Sequence, residues 1–179
     1  MRLFIGIGLD YDVREYLKSV QTVVKQTAYQ GNFTDFDNFH ITVKFLGEIK
    51  AEEVSMVEEV LEEAVNDLSV FEIKIGDIGF FRRGRSKLIF VKVTEGINQL
   101  NTLHQRVERY FKAENFEASH KFTPHITIAR QVLFKDNHGA SLLMPHYCPK
   151  VRIDTVTLFQ SSRILGKLTY TPLYHVKLR

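Results

Sequence analysis

The chain has 179 residues, of which 44% are hydrophobic and 25% are charged, and its formal net charge is +3. These values are ordinary for a globular protein and fit one domain, or two small lobes that share a core. No run of about 20 apolar residues exists, which excludes a membrane-spanning helix. The single cysteine, Cys148, excludes an internal disulfide framework and favours a reducing, cytoplasmic location.

Hydrophobic spacing predicts three amphipathic helices among seven or more strands. In chain order we predict a strand at 2–8, a helix from Asp12 to about Ala28, a strand from Phe39 to Phe45, a helix from Glu52 to Asn66, strands from Phe71 to Ile75 and Lys87 to Val93, a helix from Ile97 to about Ala113, and strands from about His125, at 151–159 and at 173–178. The short connections and hairpins favour an α+β architecture with largely antiparallel sheets.

Two segments break this regular pattern. The stretch from Gln131 to Pro149 contains Gly139 and Pro145 and lacks a sustained period. A loop of that length is typical of a functional lid or a partly disordered segment. Between the strands at 71–75 and 87–93, four basic residues crowd around Gly84: Arg82, Arg83, Arg85 and Lys87. This basic turn either attracts a polyanion or forms a solvated hairpin tip without a partner.

One short pattern occurs twice, as His-Ile-Thr-Val at His40–Val43 and as His-Ile-Thr-Ile at His125–Ile128. Side chains alternate between the two faces of a strand, so each copy places an imidazole and a hydroxyl on one face and two aliphatic side chains on the other. The repetition looks like an old duplication, and no linker separates the halves. We therefore expect one unit with a cleft between its halves, lined by two imidazoles and two hydroxyls.

Paired imidazoles are suited to acid and base chemistry at phosphorus. With an ordinary pKa of about 6.5, one ring accepts a proton from an attacking water while the other donates a proton to a leaving oxygen. Threonine hydroxyls donate hydrogen bonds to the non-bridging oxygens as negative charge develops there. The sequence lacks the residues that other kinds of site require. It has no set of cysteines at zinc-ligand spacing, no GxSxG nucleophile motif and no complete glycine-rich dinucleotide-binding motif.

The segments 39–47 and 122–130 resemble the two signature motifs of the two-histidine phosphoesterases. The similarity is greater to the RNA 2′,3′-cyclic phosphodiesterases, also called 2′-5′ RNA ligases, and it covers essentially the whole chain. It implies a duplicated, bilobal α+β domain over residues 1–179, with two largely antiparallel sheets flanking a central cleft and helices on the outside. The implied reaction is hydrolysis of a 2′,3′-cyclic phosphate to a 2′-phosphate without metal or cofactor, with ligation of such an end to a 5′-hydroxyl as the reverse-type reaction.

The resemblance also implies roles for five residues. His40 and His125 form the catalytic pair, in which His125 activates water and His40 protonates the departing 3′ oxygen. The sequence does not orient the substrate, so these two roles can be exchanged. Thr42 and Thr127 hold the phosphate. Arg130 is a further phosphate ligand, but strict alternation places it on the face opposite His125, so its participation requires a bulge or the end of the strand.

We expect a monomeric protein that acts on RNA ends or nucleotides bearing a 2′,3′-cyclic phosphate. Two alternatives stay open at this point. In the first, the chain is a nucleotide- or RNA-binding module with little turnover. In the second, it is a two-histidine enzyme that acts on another cyclic phosphate or on a 2′-5′ linked oligonucleotide. Turnover of a nucleoside 2′,3′-cyclic phosphate separates these hypotheses.

Overall fold

The structure, a computed structural model, describes residues 1–118, 121–134 and 148–179. These residues form three α-helices, nine β-strands and two short 3-10 helices. The strands are β1 (Arg2–Gly8), β2 (Ala28–Phe33), β3 (His40–Glu48), β4 (Phe71–Arg83), β5 (Ser86–Glu95), β6 (His125–Phe134), β7 (Lys150–Ile153), β8 (Thr155–Ile164) and β9 (Lys167–Lys177). The helices are α1 (Tyr11–Thr27), α2 (Val54–Val65) and α3 (Ile97–Ala113).

The strands form an antiparallel sheet in the order β7-β4-β5-β6-β3-β1-β8-β9, with β2 paired to β6. Its two halves, β1-β3-β8-β9 and β2-β4-β5-β6-β7, meet where β3 pairs with β6 through Ile41 and Ile126 alone. The predicted α+β class is confirmed. The two expected sheets are these two halves, which are continuous at the single bridging pair.

The helices pack where their apolar stripes predict. Helix α1 buries Val13, Leu17, Val20 and Val24 and contacts β2 and β6. Helices α2 and α3 contact each other. Helix α2 packs on β9 and helix α3 packs on β3, so both cover the β1-β3-β8-β9 half of the sheet. No helix in the described part of the chain is both long enough and apolar enough to cross a membrane.

Several strand boundaries differ from the predictions. Strand β2 was expected to be a loop because its sequence Ala-Tyr-Gln-Gly-Asn-Phe is polar, and its pairing with β6 makes it a strand. The predicted strand at 151–159 is two strands separated by Asp154, since β7 pairs with β4 and β8 pairs with β1 in the other half. Residues 131–134 continue β6, while 135–147 of the predicted irregular segment lie outside the described residues.

Candidate active site

The two repeated motifs meet at the junction between the halves of the sheet. Ile41 and Ile126 are the paired residues, and both are fully buried. Alternation then places His40, Thr42, His125 and Thr127 together on the opposite, cleft face, where all four are half-buried. In a regular antiparallel pair with this register, the two histidines are diagonal neighbours, whose separation is about 7–8 Å. The predicted convergence of two imidazoles and two hydroxyls is therefore present.

A β-bulge follows each motif and returns a further residue to the cleft face. In β6, Thr127 pairs with Phe90 but Ala129 pairs with Ile89, so Ile128 is an extra residue. The same slip occurs in β3, where Val43 is extra between the partners of Gly6 and Ile5. Each bulge places two consecutive buried residues after the threonine and resets the alternation.

Arg130 and Phe45 occupy equivalent positions five residues after the two histidines, and both line one groove of about 620 Å³ on the cleft side. The bulge that the sequence required for Arg130 is thus present. The positive charge of Arg130 contributes to a lowered pKa of both His40 and His125.

A backbone carbonyl orients each imidazole through its Nδ1 atom. The His40 Nδ1–H donates to the carbonyl oxygen of Asn38 at 2.7 Å, and the His125 Nδ1–H donates to that of Thr123 at 2.7 Å. A carbonyl oxygen can only accept, so the proton of each neutral ring lies on Nδ1 and Nε2 carries the lone pair. At His40, the Thr42 hydroxyl donates to that Nε2 at 2.9 Å.

Aromatic side chains enclose both imidazoles. The His40 ring lies 4.9 Å from the ring of Phe4 and 5.0 Å from that of Tyr170, between centroids. The His125 ring lies 5.0 Å from the ring of Phe90 and 5.6 Å from that of Phe81. These rings cover part of each imidazole and limit its orientations.

Gly6 lets β1 approach the backbone of the first motif closely. A Cβ added at Gly6 would lie 3.0 Å from the Ile41 carbonyl oxygen and 3.3 Å from Cε2 of Phe4, and it would make an ordinary contact of 3.5 Å with Cδ2 of His40. A Cβ at Gly8, two residues further along β1, would meet only the ring of Phe159, at 3.9 Å. The requirement for glycine is therefore specific to the position beneath the catalytic-motif histidine.

Burial lowers the pKa of both histidines. For His40 the pKa falls to about 4, chiefly because burial penalises the charged ring; the bond to Asn38 opposes this, and the charges of Arg130 and His125 add to it. For His125 burial again lowers the pKa most, the Thr123 bond opposes, and Arg130 adds to the lowering. Both rings are therefore neutral near pH 7 in the free protein. A bound phosphate anion would raise both pKa values by favouring the charged form.

Helix α3 braces both motifs from behind. Nδ1 of His104 donates to the carbonyl oxygen of Val43, the extra residue of the β3 bulge, at 2.9 Å, and its ring stacks on Phe122 at 4.2 Å. The buried Lys44 Nζ lies 2.8 Å from Glu108 Oε1 and 2.8 Å from the carbonyl oxygen of Glu117. The bulge of β3 is thereby tied to α3 and to the segment that leads into β6.

Comparison with known proteins identifies the family. The model of the 2′-5′ RNA ligase superfamily matches residues 15–163. The chain belongs to this superfamily. Among superfamily relatives, the RNA 2′,3′-cyclic phosphodiesterase of Thermotoga maritima is 26% identical over 178 residues, covering 98% of this chain and 92% of the relative. The Escherichia coli protein of the same name is 27% identical over 174 residues, covering 96% of this chain and 93% of its own.

Solved structures give the same fold. The crystal structure of Escherichia coli LigT complexed with 3′-AMP superposes on the chain with a TM-score of 0.84 at 24% identity, covering 99% of this chain and 97% of LigT. The resemblance inferred from the two motifs is thus confirmed at the level of family and fold. The roles of His40, His125, Thr42, Thr127 and Arg130 stay predictions, to which the geometry above gives a physical basis.

Sequence reasoning missed several residues that shape this superfamily site. The carbonyls of Asn38 and Thr123, which orient the imidazoles, leave no signal in side-chain identity. The bond of His104 to Val43 crosses 61 positions of the chain, so no local pattern indicates it. His120, His138 and His146 lie outside the described residues. Within the described ranges, no group of three or more His, Cys, Asp or Glu residues is arranged to hold a metal ion.

The basic turn lies at the tip of the β4–β5 hairpin. Arg82 pairs with Lys87 and directly follows Phe81, whose ring contacts His125. Alternation therefore points Arg82 and Lys87 to the face opposite Phe81 and away from the cleft. The Lys87 ammonium lies over the rings of Phe80 and Phe134, at 4.5 and 5.1 Å.

Proposed function

We propose that the protein is a phosphodiesterase that hydrolyses 2′,3′-cyclic phosphate ends of RNA or nucleotides to 2′-phosphates by paired-histidine acid and base catalysis. The observation that carries the proposal is the pair of Nε2 lone pairs on one cleft face, each set by an Nδ1–H bond to a carbonyl. Curated relatives that span more than nine-tenths of the chain bear the name of this activity, which supports the proposal.

In the proposed reaction, Nε2 of His125 takes a proton from water as the water oxygen bonds to phosphorus. The bond between phosphorus and the 3′ oxygen breaks, and protonated His40 gives its Nε2 proton to that oxygen. The product carries a 2′-phosphate, and solvent returns the two imidazoles to their starting states. A 5′-hydroxyl in place of water would yield a 2′-5′ linkage by the same proton transfers. The site is similar on both sides, so a substrate bound in the opposite direction would exchange the two roles.

The remaining site residues are proposed to hold the phosphate. Thr42 and Thr127 lie on the cleft face beside the imidazoles and offer hydroxyl donors to the non-bridging oxygens. Arg130 offers a fork of N–H donors and a positive charge, which suit a phosphate with developing negative charge. The anionic substrate raises the pKa of His40 above its free-protein value, so the bound state can hold the proton that the leaving oxygen needs.

A side-by-side turnover assay tests this proposal. The protein is incubated separately with adenosine 2′,3′-cyclic phosphate, adenosine 3′,5′-cyclic phosphate and a 2′-5′ linked diadenylate. The products are separated and identified by comparison with authentic 2′-AMP and 3′-AMP. We expect rapid formation of 2′-AMP from the first compound. Preferred cleavage of another compound would favour a different superfamily substrate. Binding of 2′-AMP without turnover of any compound would favour the binding-module alternative.

We also propose that residues 1–179 form one bilobal catalytic unit that acts as a monomer in the cytoplasm. The continuous sheet supports this, because β1 and β8, which are far apart in the chain, are adjacent strands. The single cysteine and the proposed RNA-end substrate support the location. Light scattering coupled to size exclusion and cell fractionation test the two statements, and a dimer mass or a periplasmic fraction would contradict them.

A further inference from the structure

A groove extends along β1 beside the His40 ring, and apart from Arg130 the residues that line it have no role in the proposed reaction. We name it the arginine groove, and its walls include Arg2, Phe4, Phe45, Arg130, Arg163 and Tyr170. Its volume of about 620 Å³ is in the range of ligand-binding clefts. Phe4 and Tyr170 also pack against the His40 ring, so the groove adjoins the His40 side of the proposed catalytic centre.

The far end of the groove is positively charged. Arg2 and Phe4 are two residues apart on β1, so they share a face and Arg2 lies roughly 7 Å further from His40 along the strand. In the described part of the chain no carboxylate pairs with Arg2 or Arg163. Among the described residues that line the groove, the one acidic residue is Glu48, which is the cross-strand partner of Arg2 and forms an ion pair with the N-terminal ammonium at 3.7 Å. The end of the groove therefore favours an anion.

Hydroxyl donors and an exposed ring complete this end of the groove. Ser161 is the cross-strand partner of Arg2, and Tyr170 is the partner of Ser161 on the other side. Phe45 is 64% exposed although it is a large apolar residue on a sheet face. Cationic grooves with exposed aromatic rings and hydroxyls are the typical surface for single-stranded nucleic acid.

We propose that the arginine groove binds the phosphodiester that joins the cyclic-phosphate nucleotide to the nucleotide on its 5′ side, with Arg2 and Ser161 as the phosphate ligands. This inference rests on the proposed function, because it takes the cyclic phosphate to lie between the histidines. It makes an RNA end of two or more nucleotides a better substrate than an isolated nucleoside 2′,3′-cyclic phosphate. Arg82 of the basic turn, which points to the other face of the sheet, has no part in this contact.

Three substrates isolate the contribution of that phosphate. They are adenosine 2′,3′-cyclic phosphate, the same compound with a 5′-phosphate, and diadenylate ending in a 2′,3′-cyclic phosphate. For the wild type we expect kcat/KM to be roughly tenfold higher for the dinucleotide than for the nucleoside, the worth of one charge-assisted contact, with the 5′-phosphorylated compound close to the dinucleotide. Log KM for the dinucleotide rises with log salt, and Arg2→Gln should reduce that slope by about 0.7.

Matched variants assign the effect to the groove. In Arg2→Gln the ratio of kcat/KM between dinucleotide and nucleoside should fall from roughly ten to roughly one. Ser161→Ala should lower the same ratio to an intermediate value. Arg82→Gln removes an equally charged arginine from the opposite face and should keep the wild-type ratio. Thermal unfolding of each variant separates a lost contact from a lost fold.

Any other result of these measurements contradicts either the groove proposal or the proposed function. Equal kcat/KM for the three substrates would overturn the groove assignment while leaving the proposed function intact. Loss of the preference in Arg82→Gln as well would show general charge attraction instead of a site. A preference that needs the second nucleoside and not the 5′-phosphate would overturn the phosphate contact. If nothing is turned over, the proposed function fails, and calorimetric binding of the 2′-phosphorylated nucleoside and dinucleotide then makes the same comparison.

Discussion

Replacement of Arg130 by methionine should change both the strength and the pH dependence of catalysis. The β6 bulge brings the guanidinium to the cleft face, and its positive charge lowers the pKa of His40 and of His125. A charge-assisted hydrogen bond to phosphate contributes about 1.5–3 kcal/mol. Arg130 is exposed, so the lower value applies, and kcat/KM should fall roughly tenfold.

The pH profile gives a second, independent result. The pKa of His40 is about 4 and that of His125 is below its ordinary 6.5, so the wild-type kcat/KM, which reports the free enzyme, should peak below pH 6.5. Without the Arg130 charge both pKa values rise, and the peak of Arg130→Met should move to higher pH. Arg130→Lys retains the charge and loses the planar fork, so it should keep the wild-type peak position with part of the loss in rate.

Initial rates with adenosine 2′,3′-cyclic phosphate from pH 4 to 9 provide the measurement, and Arg82→Met provides the control for removal of an arginine outside the cleft. An Arg130→Met variant with wild-type kcat/KM and an unshifted peak would refute the placement of this residue at the phosphate. A shifted peak in Arg130→Lys would refute the electrostatic explanation.

Three further predictions concern the packing around the site and the absence of a metal from the proposed reaction. Gly6→Ala should lower kcat about a hundredfold by displacing the Ile41 backbone, which lies between His40 and Thr42, whereas Gly8→Ala should not; equal rates for the two variants would contradict the close approach seen at Gly6. Lys44→Met should lower the free energy of unfolding in urea by about 3–5 kcal/mol because it removes the buried ammonium that contacts Glu108 and the Glu117 carbonyl oxygen, and adding Glu108→Leu should recover most of that loss. Dialysis against EDTA should leave turnover unchanged, and loss of activity with rescue by a divalent ion would contradict the proposed metal-free reaction.

The repeated motif predicted the arrangement of the site well, because strand alternation is a local property. His40 and Thr42, and likewise His125 and Thr127, share a face wherever their strands lie, and Ile41 and Ile126 are buried together as expected. The fold confirms the predicted α+β class, and the family match confirms the predicted superfamily. The repetition of the motif also predicted that the two strands line one cleft.

Other features depend on long-range pairing and leave little local signal. The bulges after Thr42 and Thr127 arise from the register with β1 and β5, so the sequence could only state that Arg130 needed one. Strand β2 is polar and is ordered by β6. The break at Asp154 exists because the chain crosses from β4 to β1 at that point. The low pKa of His40 depends on aromatic rings from β1 and β9, which no spacing rule joins to the motif.

The central claim is that two imidazoles transfer protons at one phosphate, and His40→Ala and His125→Ala test it directly. With adenosine 2′,3′-cyclic phosphate as substrate, each variant should lose at least 10²–10⁴-fold in kcat, the usual worth of a general acid or base, while circular dichroism shows an intact fold. Full turnover by either folded variant would contradict the account.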